Sequence, residues 1–246
     1  MRKRIKPIVV YVVLALLGLA LVIANIHNTS KQQAHLQNVK SAIPYATTPK
    51  TTTSSTSSSS DEELILNPII DLSGWQLPQD IDYDVLSNHI SGAIVRVFGG
   101  SLISKDSNAA SSNGVDKSFK THIKELKKRD VPVAVYSYAQ GTSVKEMKEE
   151  ARIFYKNASP YKPTYYWIDV EEETMSNMEE GVQAFLAELK RLGAEKVGLY
   201  IGAYFMLEQE VSTKNFDAVW IPAYGTDSGY YEALPNTEID YDLHQY

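Results

Sequence analysis

The chain has 246 residues, a net charge of −6 and no cysteine, which excludes disulfides, thiolate nucleophiles and cysteine-ligated metal sites. The charge is divided unevenly: residues 1–60 carry seven basic and no acidic side chains, whereas residues 61–246 carry 17 Lys and Arg against 30 Asp and Glu, a net −13. So acidic a region is unsuited to binding nucleic acid, and five histidines without metal-site spacing give no reason to expect a metal or another cofactor.

The first 27 residues are predicted to be a basic flank followed by a transmembrane anchor. Residues 8–26 contain no charged side chain, and as a helix they would rise about 28 Å, close to the thickness of a bilayer core. The alternative is a cleaved signal peptide, but its apolar region is shorter, about 7–15 residues, and ends at a small-residue cleavage site. The run therefore favours an uncleaved single pass through the lipid bilayer, with the N-terminus in the cytoplasm and the remaining chain outside.

Residues 28–63 are predicted to be a disordered linker. They are rich in Ser and Thr and poor in large apolar side chains, so they cannot bury enough surface to offset the conformational entropy lost on folding. We expect them to act as a spacer that carries the folded domain, residues 64–246, away from the membrane.

Within residues 64–246, short apolar runs alternate with amphipathic stretches. Two capping boxes, Ser143 with Glu146 and Ser176 with Glu179, predict helix starts, and Gly193 predicts a helix end. A further helix is predicted around residues 116–129, and strands at residues 68–72, 93–98, 131–136, 165–170, 196–201 and 218–223 and near Leu243. This alternation is typical of a parallel sheet covered by helices, either closed as a barrel or open and doubly wound.

Three carboxylates follow predicted strands. Asp71 ends the first strand, and Asp169 and Glu171 end the fourth at positions i and i+2, which place both side chains on one face. Since active sites of parallel α/β folds lie at the carboxyl ends of the strands, the three are predicted to share one site. Glycoside hydrolysis requires such a set, with one acid protonated and others ionised. Acids at strand ends also commonly cap helices, so these residues alone indicate only a plausible carboxylate enzyme.

Seven segments, in order, resemble glycoside hydrolase family 25, the lysozymes of the N-acetylmuramidase (Chalaropsis) type. They are residues 71–76 (DLSGWQ), 93–96 (AIVR), 134–138 (AVYSY), 167–171 (WIDVE), 198–200 (GLY), 220–224 (WIPAY) and 243–246 (LHQY). The resemblance implies a TIM-like (β/α)5(β)3 barrel that cleaves the β-1,4 bond between N-acetylmuramic acid and N-acetylglucosamine in peptidoglycan. It also implies retention of anomeric configuration through the substrate's own acetamido group.

Carried over residue by residue, the resemblance makes Glu171 the general acid, with Asp169 and Asp71 stabilising the transition state. The implied substrate-binding residues are Arg96, Tyr136, Tyr138, Trp220 and Tyr224. Core packing is the alternative for the aromatic residues, and a buried ion pair is the alternative for Arg96. With the anchor, the resemblance predicts a hydrolase at the cell membrane whose catalytic domain is extracellular and faces the cell wall.

The sequence departs from the family pattern at three places. Ser137 replaces a histidine, which puts a secondary substrate contact in doubt, and Pro222 predicts either a bulge in its strand or a position near the end of that strand. The sequence stops at Tyr246, before the position of a final strand carrying another acid. A barrel lacking its last strand is therefore predicted, either because the gene product is truncated or because the barrel closes without that strand. The alternative functions are a catalytically impaired peptidoglycan-binding or scaffolding module and a glycosidase for another polysaccharide.

Overall fold

The computed structural model describes residues 67–102, 105–226, 231 and 233–246. The predicted anchor, residues 8–26, and the predicted linker, residues 28–63, lie outside this described part. Within it, no helix is both long enough and apolar enough to cross a membrane.

Seven strands form one parallel sheet in the order of the sequence. Each strand pairs in parallel with its sequence neighbours, and β1 and β7 are the edges of the sheet as described. The order has no reversal point, which contradicts the doubly wound alternative. The strands are β1 (Ile69–Leu72), β2 (Gly92–Phe98), β3 (Val133–Tyr138), β4 (Tyr166–Val170), β5 (Val197–Ile201), β6 (Ala218–Pro222) and β7 (Leu243–Gln245), as predicted to within about two residues. Pro222 is the last residue of its strand, as predicted.

The sheet is curled, in the manner of a TIM-like half-barrel. In a flat sheet the first and seventh strands would lie about 29 Å apart, since neighbouring strands are spaced by about 4.8 Å. The side chains of Asp71 on β1 and Gln245 on β7 are nevertheless joined by a 3.0 Å hydrogen bond. The curl therefore brings the two edges of the sheet to one place.

Five α-helices and two short 3-10 helices connect the strands in the described residues. The α-helices are α1 (Tyr83–Ser87), α2 (Phe119–Lys127), α3 (Val144–Ala158), α4 (Met178–Leu192) and α5 (Ala203–Glu208), and the 3-10 turns are Pro78–Asp80 and Ser159–Tyr161. Ser143 caps α3 by accepting a hydrogen bond from the Glu146 amide, as predicted. Gly193 ends α4 in the left-handed region, at φ 106°, also as predicted.

The predicted capping box of α4, Ser176 with Glu179, is wrong. The helix is capped one residue later, by Asn177, whose side chain accepts a 3.1 Å hydrogen bond from the Glu180 amide. Glu179 does not turn back toward the cap, because its carboxylate accepts a 2.9 Å hydrogen bond from the amide of Ser212. A tertiary contact thus removes Glu179 from the predicted capping box.

The strands bury two separate apolar layers. Side chains on the convex face pack against the helices and form the larger core. Side chains on the concave face form a smaller, mainly aromatic cluster of Ile94, Ala134, Trp167, Tyr200, Ala218 and Trp220. Along β3, Val133 and Val135 belong to the outer core and Ala134 and Tyr136 to the inner cluster, as the two-residue period of a strand requires. The inner cluster forms the floor beneath the carboxyl ends of the strands.

Candidate active site

The three predicted carboxylates line one cavity. Asp71, Asp169 and Glu171 surround a space of about 120 Å³ at the carboxyl end of the sheet. The curl brings β1 close to β4 across the barrel, and the i, i+2 spacing puts both acids of the fourth strand on the inner face. The other lining residues are Tyr136, Tyr200, Trp220, Tyr224 and Gln245.

Asp169 is the buried acid of this group. Only 7% of its surface is exposed, and within the described residues its Oδ1 has no hydrogen-bond partner. Burial raises the pKa of Asp169 well above its ordinary value, and the negative charges of Glu171 and Asp71 raise it further, whereas Arg96 acts in the opposite direction. A carboxyl group in this position favours its protonated form.

Glu171 lies just beyond the end of β4 and is exposed at the mouth of the cavity. Desolvation raises the pKa of its carboxyl group, while its interaction with Asp169 lowers it. Two acids two residues apart on one strand face cannot easily ionise together, so the pair tends to hold one proton. Glu171 is the member of the pair that an approaching substrate can reach.

Asp71 is the third carboxylate and is held by a chain of hydrogen bonds. Gln245 Nε2 donates to Asp71 Oδ2 at 3.0 Å, and Tyr224 OH donates to Gln245 Oε1 at 3.0 Å. The Tyr224 oxygen lies 3.1 Å from Tyr200 OH, so Tyr200 must be the donor of that bond. Burial raises the pKa of Asp71, and the bond from Gln245 lowers it. The chain joins four strands or their ends around the cavity.

The predicted aromatic residues occupy different depths of the site. Tyr136 and Trp220 line the cavity, and Trp220 packs edge-on against Tyr200 with the ring centroids 4.6 Å apart. Tyr224 is 43% exposed at the rim. Tyr138 is not a lining residue; it lies beside Glu172, which together with burial raises the pKa of its hydroxyl.

Arg96 forms the ion pair that was the alternative to sugar binding. Its Nε lies 3.0 Å from Oδ2 of Asp116, and the two side chains are 14% and 0% exposed. Arg96 does not line the cavity wall, although its charge acts on both Asp169 and Tyr136.

Ser137, which replaces the family's histidine, does not face the cavity. It is fully buried on the face of β3 opposite to Tyr136, and its Oγ has no hydrogen-bond partner among the residues that the structure describes.

Sequence reasoning did not single out Tyr200, Gln245 or Asp116. The two-residue period could have indicated Tyr200 and Gln245, because each stands two positions after an inward-facing residue, Gly198 or Leu243. No local pattern indicates Asp116, whose partners lie 20 and 42 residues away. In the described part of the chain, no group of three or more His, Asp or Glu is arranged to hold a metal ion.

Comparisons with known proteins agree with this architecture. The model of glycosyl hydrolases family 25 matches residues 70–246. A comparison with curated proteins finds no match. Among solved structures, the chain is similar to GHIP, a glycosyl hydrolase 25 of Streptococcus pneumoniae described as a virulence factor participating in host cell invasion. It shares 57% identity with GHIP over 73% of this chain and 78% of the other, with a TM-score of 0.71.

Two more distant structures show the same fold. The catalytic domain of endolysin ply40, from bacteriophage P40 of Listeria monocytogenes, is 26% identical over 72% of this chain and 82% of that chain, with a TM-score of 0.61. A family 25 glycosyl hydrolase from Bacillus anthracis is 21% identical over 72% and 76% of the two chains, with a TM-score of 0.51. The chain therefore belongs to glycosyl hydrolase family 25 and is a glycoside hydrolase.

Proposed function

We propose that this glycoside hydrolase cleaves peptidoglycan at the β-1,4 bond between N-acetylmuramic acid and N-acetylglucosamine. The observation that carries the proposal is the meeting of Asp71, Asp169 and Glu171 around one cavity at the carboxyl end of the sheet. The similarity to an endolysin catalytic domain supports a bacterial wall polymer as the substrate class.

In this proposal Glu171 is the general acid. It is exposed at the mouth, so it can reach a glycosidic oxygen, and its raised pKa keeps the proton available above the ordinary range of a glutamic acid. Asp169 is too buried to reach a leaving group. In the reacting form, the single proton that the pair holds lies on Glu171, and Asp169 is the carboxylate. When Glu171 gives this proton to the leaving oxygen, the negative charge of Asp169 lies beneath the positive charge that develops on the sugar ring.

Asp71 assists from the opposite wall of the cavity. Its carboxylate is fixed by Gln245 and adds a second negative charge beside the oxocarbenium-like transition state. We expect the substrate's acetamido oxygen to attack the anomeric carbon and water to open the resulting ring, so that configuration is retained. Tyr136, Trp220 and Tyr224 would form the sugar-contacting walls, with Tyr138 and Arg96 just outside them.

We also propose that the enzyme acts on nearby wall from the outer face of the cell membrane. The support is compositional: the apolar run of residues 8–26 and the Ser/Thr-rich residues 28–63. A linker of 36 residues could span at most about 120 Å when fully extended. Cell fractionation tests this location, because a protein found in the culture medium at full length would contradict the anchor.

The test of the activity uses the full-length chain, purified in mild detergent and incubated with peptidoglycan. Glu171→Gln removes the proposed acid, and Glu172→Gln removes the neighbouring carboxylate as a matched control. We expect the wild type and Glu172→Gln to release muramic-acid reducing ends, and Glu171→Gln to be slower by about 10²–10⁴-fold. Wall binding without cleavage by the wild type would instead indicate a binding or scaffolding module. New reducing ends on a different sugar would indicate another polysaccharide.

A further inference from the structure

Asp116, which precedes α2, is a fully buried carboxylate held on several sides. Its Oδ2 accepts hydrogen bonds from the Gly74 amide at 2.7 Å and from Arg96 Nε at 3.0 Å, and its Oδ1 accepts from the Ser118 amide at 2.8 Å. Its own amide donates to the carbonyl of Val97 on β2. These bonds fix the position of the Asp116 carboxylate, and the carboxylate in turn fixes the position of the Arg96 guanidinium.

Arg96 is held on the inner side of β2. It stands two residues after Ile94 of the inner cluster and is in register with Tyr136 on the next strand. Its charge lowers the pKa of Asp169, whereas Glu171 and Asp71 raise that pKa. The titratable groups that also face Asp169 are the hydroxyls of Tyr136, Tyr138, Tyr200 and Tyr224. In the described part of the chain, Arg96 is thus the cation whose charge acts on the buried Asp169.

The Arg96 guanidinium has an alternative to its ion pair with Asp116, because other carboxylates lie in the nearby cavity. Released from its anchor, Arg96 could turn inward and make a two-pronged ion pair with Asp169 or Asp71, the arrangement that arginine and carboxylates prefer. Such a pair would fill the 120 Å³ cavity and keep Asp169 ionised. Because Asp116 binds Nε, it keeps the guanidinium at the side of the site.

We propose that Asp116 is a positioning residue that holds Arg96 beside the cavity as the counter-charge of Asp169. This inference rests on the proposed function for its consequence in catalysis. The Asp116 carboxylate also holds the loop after β1, because it accepts a hydrogen bond from the Gly74 amide. An added Cβ at Gly74 would lie 2.1 Å from the backbone oxygen of Ala109. The buried Asp116 carboxylate thereby fixes both the position of the loop after β1 and the position of the Arg96 charge next to the site.

Two substitutions test the role in opposite directions. Asp116→Asn cannot satisfy all three donors, so Arg96 is freed to approach Asp169 and the pKa of Asp169 falls. Arg96→Gln removes the cation, so the pKa of Asp169 rises. Arg129→Gln is the matched control, because Arg129 is paired with Asp84 and Glu125 away from the cavity. The midpoint of Asp169 is measured by carbon-detected NMR of full-length protein labelled at aspartate carboxyl carbons, with Asp169→Asn used for assignment.

We expect opposite shifts of the Asp169 midpoint in the two variants, none in Arg129→Gln, and a loss of kcat of about tenfold to a hundredfold in Asp116→Asn with little change in KM. If Asp116→Asn fails to fold, Arg96→Gln still tests whether Arg96 is the counter-charge of Asp169, and an unchanged Asp169 midpoint in that variant overturns the inference. An unchanged midpoint in every folded variant, with only a lower melting temperature, would overturn the inference. The titration needs no substrate, so the two tests are independent. A wild-type protein that does not cleave peptidoglycan would contradict the proposed function without affecting the result of the titration.

Discussion

Gln245 donates a 3.0 Å hydrogen bond from Nε2 to Oδ2 of Asp71, joining the last strand of the described sheet to the first across 174 residues of sequence. Since β1 and β7 are the two edges of the described sheet, this side-chain bond bridges the seam between them, beside the cavity. The orientation of the Gln245 amide follows from it, because only the NH₂ group can face a carboxylate. The same orientation turns the amide oxygen toward Tyr224.

Gln245→Leu is therefore expected to reduce peptidoglycan hydrolysis roughly tenfold, the equivalent of about 1.4 kcal/mol in the barrier. The substitution removes the donor that lowers the pKa of Asp71 and leaves Tyr224 without its acceptor. Initial rates of reducing-end release measure the effect, with Gln79→Leu, an exposed glutamine on the Pro78–Asp80 turn, as the control. Equal rates for the two variants would show that the seam contact does not matter for activity.

Asp169→Asn is expected to stabilise the protein at pH 7 while abolishing activity. The folded-state pKa of Asp169 is raised above 3.8, so the folded form binds the proton more tightly than the unfolded form, and stability falls as the pH rises through the raised pKa. Asparagine carries no such penalty. The variant should melt higher by about 2–4 °C for each kcal/mol of relieved charge burial.

The pH dependence distinguishes this cause from better packing. The gain of Asp169→Asn should be present at pH 7 and vanish below about pH 3.8, because wild-type Asp169 is then protonated in both states. Thermal denaturation at the two pH values, with exposed Asp80→Asn as the control, provides the measurement. A gain that persists unchanged in acid would contradict the electrostatic explanation.

Tyr83→Phe is expected to lower the free energy of unfolding by about 1–3 kcal/mol. His122 is fully buried, and its Nε2 lies 3.2 Å from the carbonyl of Ser73, which can only accept, so Nδ1 must accept from Tyr83 OH at 2.6 Å. Phenylalanine leaves that buried nitrogen without its donor. Chemical denaturation measures the loss, and Tyr204→Phe, which is 43% exposed, should be nearly neutral.

The same histidine predicts a loss of stability in mild acid. Burial lowers the pKa of His122 below 6.5 in the folded state, so the unfolded chain takes up the proton first. Stability should fall as the pH decreases from about 6.5 toward the folded-state pKa. In His122→Gln this dependence should be weaker, although the variant is less stable overall; an identical slope in both proteins would assign the effect to other groups.

Gly198→Ala is expected to destabilise the floor of the site by about 1–3 kcal/mol through overpacking. A Cβ at Gly198 would lie 2.3 Å from a ring carbon of Trp167, which packs edge-on against Trp220. Since Trp220 lines the cavity, hydrolysis should fall with stability. Gly202→Ala is the matched control, because its nearest neighbour would be 3.9 Å away; similar losses in both variants would rule out the steric cause.

Local sequence patterns predict most of the secondary-structure elements and the placement of the carboxylates. The five inner strands, β2 to β6, were predictable because a continuous apolar run indicates burial on both faces of a sheet. The shared face of Asp169 and Glu171 was predictable because it depends only on the two-residue period of an extended backbone. The helix ends at Ser143 and Gly193 were also predictable, because the groups that interact there are only a few residues apart in the sequence.

Which distant groups come into contact, and which charge those groups carry, depends on the packing of the whole chain. The carboxylate of Glu179 accepts a hydrogen bond from the amide of Ser212, 33 residues away, instead of completing the predicted capping box of α4. The bond between Gln245 and Asp71 exists because the sheet curls, and the ion pair of Arg96 exists because the loop before α2 returns to β2. The raised pKa of Asp169 likewise follows from burial, which no local pattern fixes: desolvation depends on all the chain packed around a group, and the backbone period specifies only its direction.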